Sequence, residues 1–554
     1  MGKGATAAVS RGRHLAVLLF IAATLALWIG VRIGYGIGWG ALDRAQGGTE
    51  IPLGIAHGIE DNLSYVTWAQ QARDGLIPFS VLQTTEPHSA VFIMPVFVAL
   101  GGIAALIGVH PLLVMNVASL GAGALALYFV FRIGLAMGLG GRAAFLGMLF
   151  TAYGSGLSAV ALLLFGRVAW AQGADATFLD LMPSAVLLFF PYQCLALATA
   201  TALVAALIRA EARLLGNASP WPPLLAVFAL ALLAIAVRPY APTALIVVYA
   251  GLVALSWLCR AAPARRRARL RLLLALSAGI GPLALYYHWV SGQPVWADFA
   301  AASLDLPHTR LGWLIGFGLF WPFAAAGAAI ALGERRRGCD SVVLWAGCVL
   351  LVLVVANVGQ SKLVEGGFIA LALLAALAVD RALTGLTTLP AQWRRAGLGA
   401  LGLCALAAVL STVVLFSRGR GPDYHPLDRE VLTAAREIRK VQPEGIPKVL
   451  TEFAAGMLLP PLASLRVYVG HWSLTVDPVR KLKQLVAAGF EPGSPTGDDI
   501  ADRRQAYSQI WAEAEFDWVL AHRDRPVTPL LESDARLHAV YRGERWLLFR
   551  RSPP

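Results

Sequence analysis

Apolar runs long enough to cross a bilayer recur through the first three quarters of this chain, and that recurrence constrains its fold most. A hydrocarbon core about 30 Å thick takes roughly 20 residues of helix. About twelve segments reach or approach that length, near 14–33, 91–108, 112–131, 143–165, 183–208, 221–237, 240–258, 270–290, 310–332, 341–357, 363–384 and 396–416. Composition agrees. Of the residues, 57% are apolar and only 14% charged, against roughly 25% charged in a soluble domain, and mean hydropathy is +0.64. A typical soluble enzyme, a disordered chain and a collagen-like fibre are excluded. The expected fold is a polytopic α-helical membrane protein.

Charge divides the chain in two. Residues 1–417 hold 26 Lys/Arg and 15 Asp/Glu, whereas residues 418–554 hold 20 and 18. The expectation is a membrane body, 1–417, including a long loop at 34–90, and a soluble domain, 418–554. Most of the net charge of +13 lies in the body. There it reads as basic loops that set orientation, not as a nucleic-acid surface. The stretch 260–271, Arg335–Arg337 and Arg394–Arg395 then face the cytoplasm, as does the N-terminus. The run near 14–30 reads as an uncleaved first span. The loops 291–309 and 358–366 and the C-terminal domain are extracytoplasmic, in a multi-pass protein of the inner or plasma membrane. An internal N-terminus and an external tail require an odd number of crossings. Twelve segments therefore give a range of 11–13, with 91–108 and 143–182 the ambiguous stretches. Trp170, Trp289, Trp296 and Trp313 read as interfacial belt residues.

The tail reads as α/β. Strands are expected at Lys448–Thr451, Leu465–Gly470, Phe516–Ala521, His538–Tyr541 and Arg545–Arg550, with helices at 427–440, 453–459, 477–488 and 500–514. The alternation predicts a layered domain with a partly parallel sheet. It has no cysteine and no Gly-rich phosphate loop. The chain's five cysteines form no CxxC or Cys/His cluster, which argues against structural zinc.

The loop 34–90 holds six of the body's fifteen acids: Asp43, Glu50, Glu60, Asp61, Asp74 and Glu86. From Leu63 it reads as a helix with Tyr65, Trp68, Ala69 and Ala72 on one face, lying on the membrane or under an external domain. Asp61 and Asn62 sit at its start. A carboxylate there caps a helix, or it accepts a proton or holds a metal at the membrane surface. Glu86 and His88, just before the next apolar run, are candidates to complete an acid/base or metal site.

The arrangement resembles the GT-C superfamily of integral-membrane glycosyltransferases, which use lipid-phosphate-linked sugars. Glu60-Asp61-Asn62-Leu63-Ser64-Tyr65 with Arg73-Asp74-Gly75 resembles the first-loop motif of a bacterial branch, the protein mannosyltransferase and aminoarabinose transferase type. Thr85-Glu86-Pro87-His88 resembles its second motif. Gly154-Ser155-Gly156-Leu157, Arg238-Pro239-Tyr240 and Lys362-Leu363-Val364-Glu365-Gly366-Gly367 resemble later ones, and Val467-Tyr468-Val469-Gly470-His471-Trp472-Ser473 its tail.

The resemblance implies that Asp61, with Glu60 beside it, is the catalytic base in an inverting transfer. The donor is a polyprenyl-phosphate sugar, and the acceptor a glycan, lipid or protein of the cell envelope. Some members also use a divalent metal, Mg or Mn, for which Asp61, Glu86 and His88 are the candidates. The leaving phosphate needs a cation, and Lys362, Arg238 and Arg310 stand at span boundaries near external loops. Lys362 has the most polar surroundings. Asn62, Tyr65, Glu365, His471 and Trp472 are candidate substrate contacts. The competing reading is a transporter or flippase of a polar lipid or solute, which is expected to show internal repeats. None is found.

Overall fold

The computed structural model describes residues 14–30, 50–51, 59–154, 156–157, 164, 183, 186, 191–216, 219–302, 309–336, 338–355, 362, 364–386, 390–392, 395, 427–492 and 500–552. Two compact units emerge. The first comprises 1–31, 116–286 and 304–422, and the second 32–115, 287–303 and 423–554. The long loop thus belongs with the tail, because its helix is built into the tail's core, as described below. The sequence segment 396–416 and most of 155–190 lie outside the described residues.

The first unit is helical. Five helices are long and apolar enough to cross a membrane: Pro111–Ala136, Pro191–Leu215, Tyr240–Leu258, Pro263–Val290 and Gly367–Leu386. Arg310–Phe317 and Phe320–Gly333 make a sixth if the pair, bent by 74°, is one span. His14–Gly30, Trp221–Val237 and Cys339–Val355 are shorter apolar helices. Gly367–Leu386 is buried without interruption from Gly367 to Val379, as expected of a helix apolar on every face. Small residues let neighbours approach it. A Cβ on Gly327 would lie 1.9 Å from the Leu374 carbonyl oxygen.

The arginine-rich stretch 260–271 is mostly the first turns of Pro263–Val290, not a loop. Arg269 there is buried and pairs with Glu211 at 2.9 Å and Asp340 at 2.6 Å, tying three helices together. A buried cation persists only with such partners. Of the proposed belt tryptophans, Trp289 is 54% exposed, whereas Trp296 and Trp313 are buried. Their rings pack inside the protein, with Trp296 donating to the Ser89 carbonyl. Trp170 lies outside the described residues.

The second unit is α/β. Its sheet runs β4-β3-β5-β7-β6. The strands are β3 (Lys448–Leu450), β4 (Arg466–Val467), β5 (Trp518–His522), β6 (Leu537–Arg542) and β7 (Trp546–Arg551). β4, β3 and β5 are parallel, and β7 and β6 continue antiparallel. Helices Arg429–Val441, Phe453–Ala463, Pro478–Ala488 and Ile500–Glu513 stand close to where the sequence places them, and a short helix, Thr528–Ser533, is added. β1 (Glu50–Ile51) pairs with β2 (Leu427–Asp428), joining the loop to the tail by main chain.

The loop helix is Ile59–Arg73, beginning four residues earlier than expected, with Glu60 and Asp61 in its first turn and Arg73 in its last. That charge order suits the helix dipole. The helix is not a surface element. Eleven of its fifteen residues are buried, and Ile59 and Leu63 belong to one core with Val449, Leu459, Trp518 and Leu548. On another side it meets Val96–Ile107 so closely that a Cβ on Gly101 would lie 2.3 Å from the Ala69 carbonyl oxygen. Trp68 packs on Phe97 there, with ring centroids 5.4 Å apart. Burial of side chains of this size contributes roughly 1.5–3 kcal/mol each. The segment 91–108 becomes a helix of only 12 residues, about 18 Å long and too short to span.

Candidate functional site

Two short stretches, one from the loop and one from the tail, lock together beside the loop helix. In the tail, β4 runs into the turn Tyr468–Thr475. Gly470 is required there, because a Cβ would lie 2.6 Å from the Gly456 carbonyl oxygen. Val467 N donates to the Leu82 carbonyl at 2.8 Å. Thr475 Oγ1 accepts from the amides of Gly470 and His471 and donates to the Gln83 carbonyl at 2.7 Å. Val476 N donates to Thr84 Oγ1.

Lys481 completes the lock. Its Nζ is 2.5 Å from Glu86 Oε1, 3.3 Å from Thr84 Oγ1 and 3.4 Å from the Tyr468 carbonyl, over the Tyr468 ring. The Lys481 side chain is 1% exposed. Burial pulls its pKa down, and Glu86 opposes that pull.

Both nitrogens of His88 are committed. Nε2 accepts from Val81 N at 2.9 Å, and Nδ1 lies 2.8 Å from the Glu86 carbonyl, to which it donates. Burial lowers the His88 pKa below the ordinary 6.5. Asp61, Glu86 and His88 therefore do not fit a metal ion. The histidine has no lone pair to offer, and Glu86 is neutralised by Lys481. Among the described residues no group of three or more His, Cys, Asp or Glu could hold one.

Asp61 differs from Glu86. Its side chain is 59% exposed, and its Oδ1 lies 3.5 Å from Nε2 of His471, which is 5% exposed. A carboxylate on a rigid, otherwise buried helix is thereby presented to solvent with one buried histidine behind it. Trp472, next in the turn, is 49% exposed and packs on Phe453 at 5.9 Å. Of the expected substrate contacts, Asn62 is fully buried, Tyr65 is half-buried and stacks on Phe97, and His471 is covered. Arg73-Asp74-Gly75 ends the helix: Gly75 takes φ +75, and Asp74 accepts from Gln70 and from Ser464 Oγ. A cavity of 890 Å³ lies at that end, and Asp61 does not line it. Arg439 there donates to the Ala463, Gly445 and Ser464 carbonyls.

In the first unit, two motifs 127 residues apart meet. Arg238 Nε lies 2.8 Å from Glu365 in a buried ion pair. The guanidinium sits 5.8 Å from the Tyr192 ring and 5.3 Å from the Tyr240 ring. Lys362 Nζ lies 5.9 Å from the other partner ring, that of Tyr240. Glu365 is thus the counter-charge of Arg238. Arg310 stands elsewhere. It is exposed at the start of Arg310–Phe317 and borders a largely apolar cavity of 450 Å³ with Trp313, Trp321 and Leu353. Gly156 is a packing glycine, since a Cβ would lie 2.1 Å from the Gly316 carbonyl oxygen.

Sequence reasoning passed over Lys481 and Tyr192. A signal for Lys481 exists: it shares the buried face of Pro478–Ala488 with Leu485 and Ala488, at i, i+4 and i+7. A lysine on an apolar face needs a partner.

The architecture matches solved structures. The chain aligns over 96% of its length with 97% of ArnT from Cupriavidus metallidurans, solved with undecaprenyl phosphate bound, at 16% identity and TM-score 0.53. It aligns over 92% with 69% of the apo oligosaccharyltransferase of Archaeoglobus fulgidus, at 14% identity and TM-score 0.52. The chain has the GT-C fold. It also aligns over 96% of its length with the mycobacterial arabinofuranosyltransferase AftD, at 15% identity and TM-score 0.51, spanning 41% of that protein. No protein-family model matches the chain, and no curated protein sequence does. The GT-C fold accounts for a polytopic helical body followed by a sheet-containing C-terminal domain.

Proposed function

We propose that this chain is an inverting membrane glycosyltransferase that moves a sugar from a polyprenyl-phosphate-linked donor to a cell-envelope acceptor, with Asp61 as general base. The observation that carries the reading is the exposed Asp61 carboxylate on a buried helix, backed by His471, in a chain of GT-C fold. Asp61 takes the proton of an acceptor hydroxyl. The oxygen attacks the anomeric carbon as the bond to the phosphate oxygen breaks, and the phosphate leaves with the bonding electrons. One in-line displacement inverts the anomeric centre.

The charge arriving on the phosphate calls for a fixed cation. Lys362 is the candidate for that role, on the polarity of its sequence neighbours Gln360, Ser361 and Glu365. The reaction is assigned to the extracytoplasmic face of the inner or plasma membrane, with the N-terminus and basic loops in the cytoplasm. No step is routed through a metal.

The test uses purified full-length protein and a panel of farnesyl-phosphate-linked hexoses and pentoses, assayed for transfer with stereochemistry read at the product. Asp61→Asn is expected to lower transfer by about 10³-fold while leaving thermal unfolding unchanged. Unchanged transfer in the variant removes Asp61 from the mechanism, whereas no transfer by the wild type from any donor of the panel returns the reading to lipid transport.

A further inference from the structure

We infer that His471 is a positioning residue for Asp61: a neutral imidazole, fixed with its proton on Nε2, that holds the carboxylate by donating to Oδ1. The inference rests on the reading of Asp61 as base.

Backbone amides only donate. Ser473 N lies 3.0 Å and Leu474 N 3.2 Å from His471 Nδ1, with Ser473 Oγ at 3.1 Å. Nδ1 must therefore present its lone pair, and in a neutral ring the proton is then on Nε2. A doubly protonated ring would aim a second N–H at two amide protons. Nε2 is buried and makes no hydrogen bond within the protein at its present geometry. Its near neighbour is Asp61 Oδ1 at 3.5 Å, a few tenths of an ångström from hydrogen-bond length. A buried N–H without a partner is costly, so the ring and carboxylate gain by closing that gap.

Exposure separates the two roles. The ring, 5% exposed, is covered, whereas Asp61 is 59% exposed and meets the acceptor. The histidine thus acts through the carboxylate. A donor behind Oδ1 favours the rotamers in which Oδ2 faces outward. The turn carrying His471 is itself fixed, through Gly470 on Gly456 and Thr475 on Gln83. The ring's place is thus set by backbone rather than by the substrate.

The discriminating variant is His471→Asn. The Asn oxygen takes the place of Nδ1 and still accepts from Ser473 and Leu474, so the turn survives, but nothing reaches Asp61. Assayed on the farnesyl-phosphate sugar that wild type turns over, kcat is expected to fall by up to about 100-fold. The donor KM and thermal unfolding should stay as in wild type. The acid limb of the pH–rate profile should move to higher pH, because a carboxylate that has lost a donor binds its proton more tightly. Glu60, Glu86 and Lys481, the nearby charged groups, are the same in both proteins. A variant with wild-type kcat and acid limb, in a background where Asp61→Asn is inactive, overturns the positioning role and leaves the base assignment standing.

Nitrogen chemical shifts of His471 in the labelled full-length wild type test the tautomer without substrate and without any variant. A proton on Nε2 is expected, and a proton on Nδ1 overturns the inference. An active Asp61→Asn variant overturns the base assignment and this inference with it.

Discussion

The same loop offers two acids to the same eleven-residue stretch of the tail, and they meet opposite fates. Glu86 reaches Lys481, and the pair closes at 2.5 Å with the lysine 1% exposed and Thr84 filling in. Asp61 reaches His471, and the pair stays open at 3.5 Å with the acid 59% exposed. The chemistry of the basic partner explains the difference. A buried ammonium must be neutralised, so it pulls its acid inward. A neutral imidazole asks for one hydrogen bond and no counter-charge, and it leaves the second carboxylate oxygen facing out. The closed pair is a fastening between loop and tail; the open pair is where a proton can be moved.

That contrast is most sharply tested by exchanging which property each variant damages. Asp61→Asn is expected to lower transfer by about 10³-fold, within the range for a general base, with no change in unfolding temperature, because an exposed carboxylate carries little of the fold. Lys481→Met should do the reverse. It strands Glu86 against an apolar face and costs on the order of 2–4 kcal/mol, read as a fall in the denaturation midpoint. Adding Glu86→Gln should recover part of that loss. A stable, slow Lys481→Met protein would reverse the assignment of the two pairs.

Next in size is an acid sensitivity confined to the closed side. The folded His88 ring resists protonation because it is buried and its Nε2 accepts from Val81 N. The unfolded chain takes that proton as pH drops through 6.5, the ordinary imidazole value. Stability contributed by neutral His88 is therefore present above 6.5 and is lost as pH falls toward the lowered folded value, at no more than about 1.4 kcal/mol per pH unit. Thermal unfolding at pH 7.5 and 5.5 should show a larger drop in wild type than in His88→Gln, whose amide oxygen accepts from Val81 at either pH. Equal drops would mean that His88 is not the group responsible.

Much of this was legible in the sequence, for identifiable reasons. Period-2 and period-3.6 patterns in the tail placed its strands and helices because each element buries one face there, as in Val431, Ala434, Ala435 and Ile438 of Arg429–Val441. Asp61 and Glu86 stood out because acids are scarce in an apolar body. Which acid is open and which is closed was not legible, since it depends on Lys481, nearly 400 residues beyond Glu86. For the loop helix the sequence left two settings open, on the membrane or under an external domain, and the structure packs it into the core it shares with the tail. In the fold Gln71 bonds the Ser80 backbone in both directions, and Thr67 bonds the Leu63 carbonyl. Composition likewise assigned the loop to the membrane body, whereas the core it shares with β3, β5 and β7 is a matter of tertiary packing.

The smallest expected effect asks whether the open side extends past His471. Adjacent residues of the turn point opposite ways: His471 is covered, and Trp472 is 49% exposed on the Phe453 ring. An exposed indole beside the proposed base presents a flat apolar face of the kind that stacks on a sugar ring, a contact worth about 0.5–1.5 kcal/mol. Trp472→Ala should therefore raise the acceptor KM roughly three- to tenfold, leaving kcat, donor KM and unfolding temperature where they were. Trp472→Phe should recover most of the loss, because it keeps a face and gives up only the indole N–H. A rise in donor KM instead would move Trp472 to the lipid-sugar side of the reaction. Unchanged kinetics in both variants would confine the open region to the Asp61 carboxylate and its histidine.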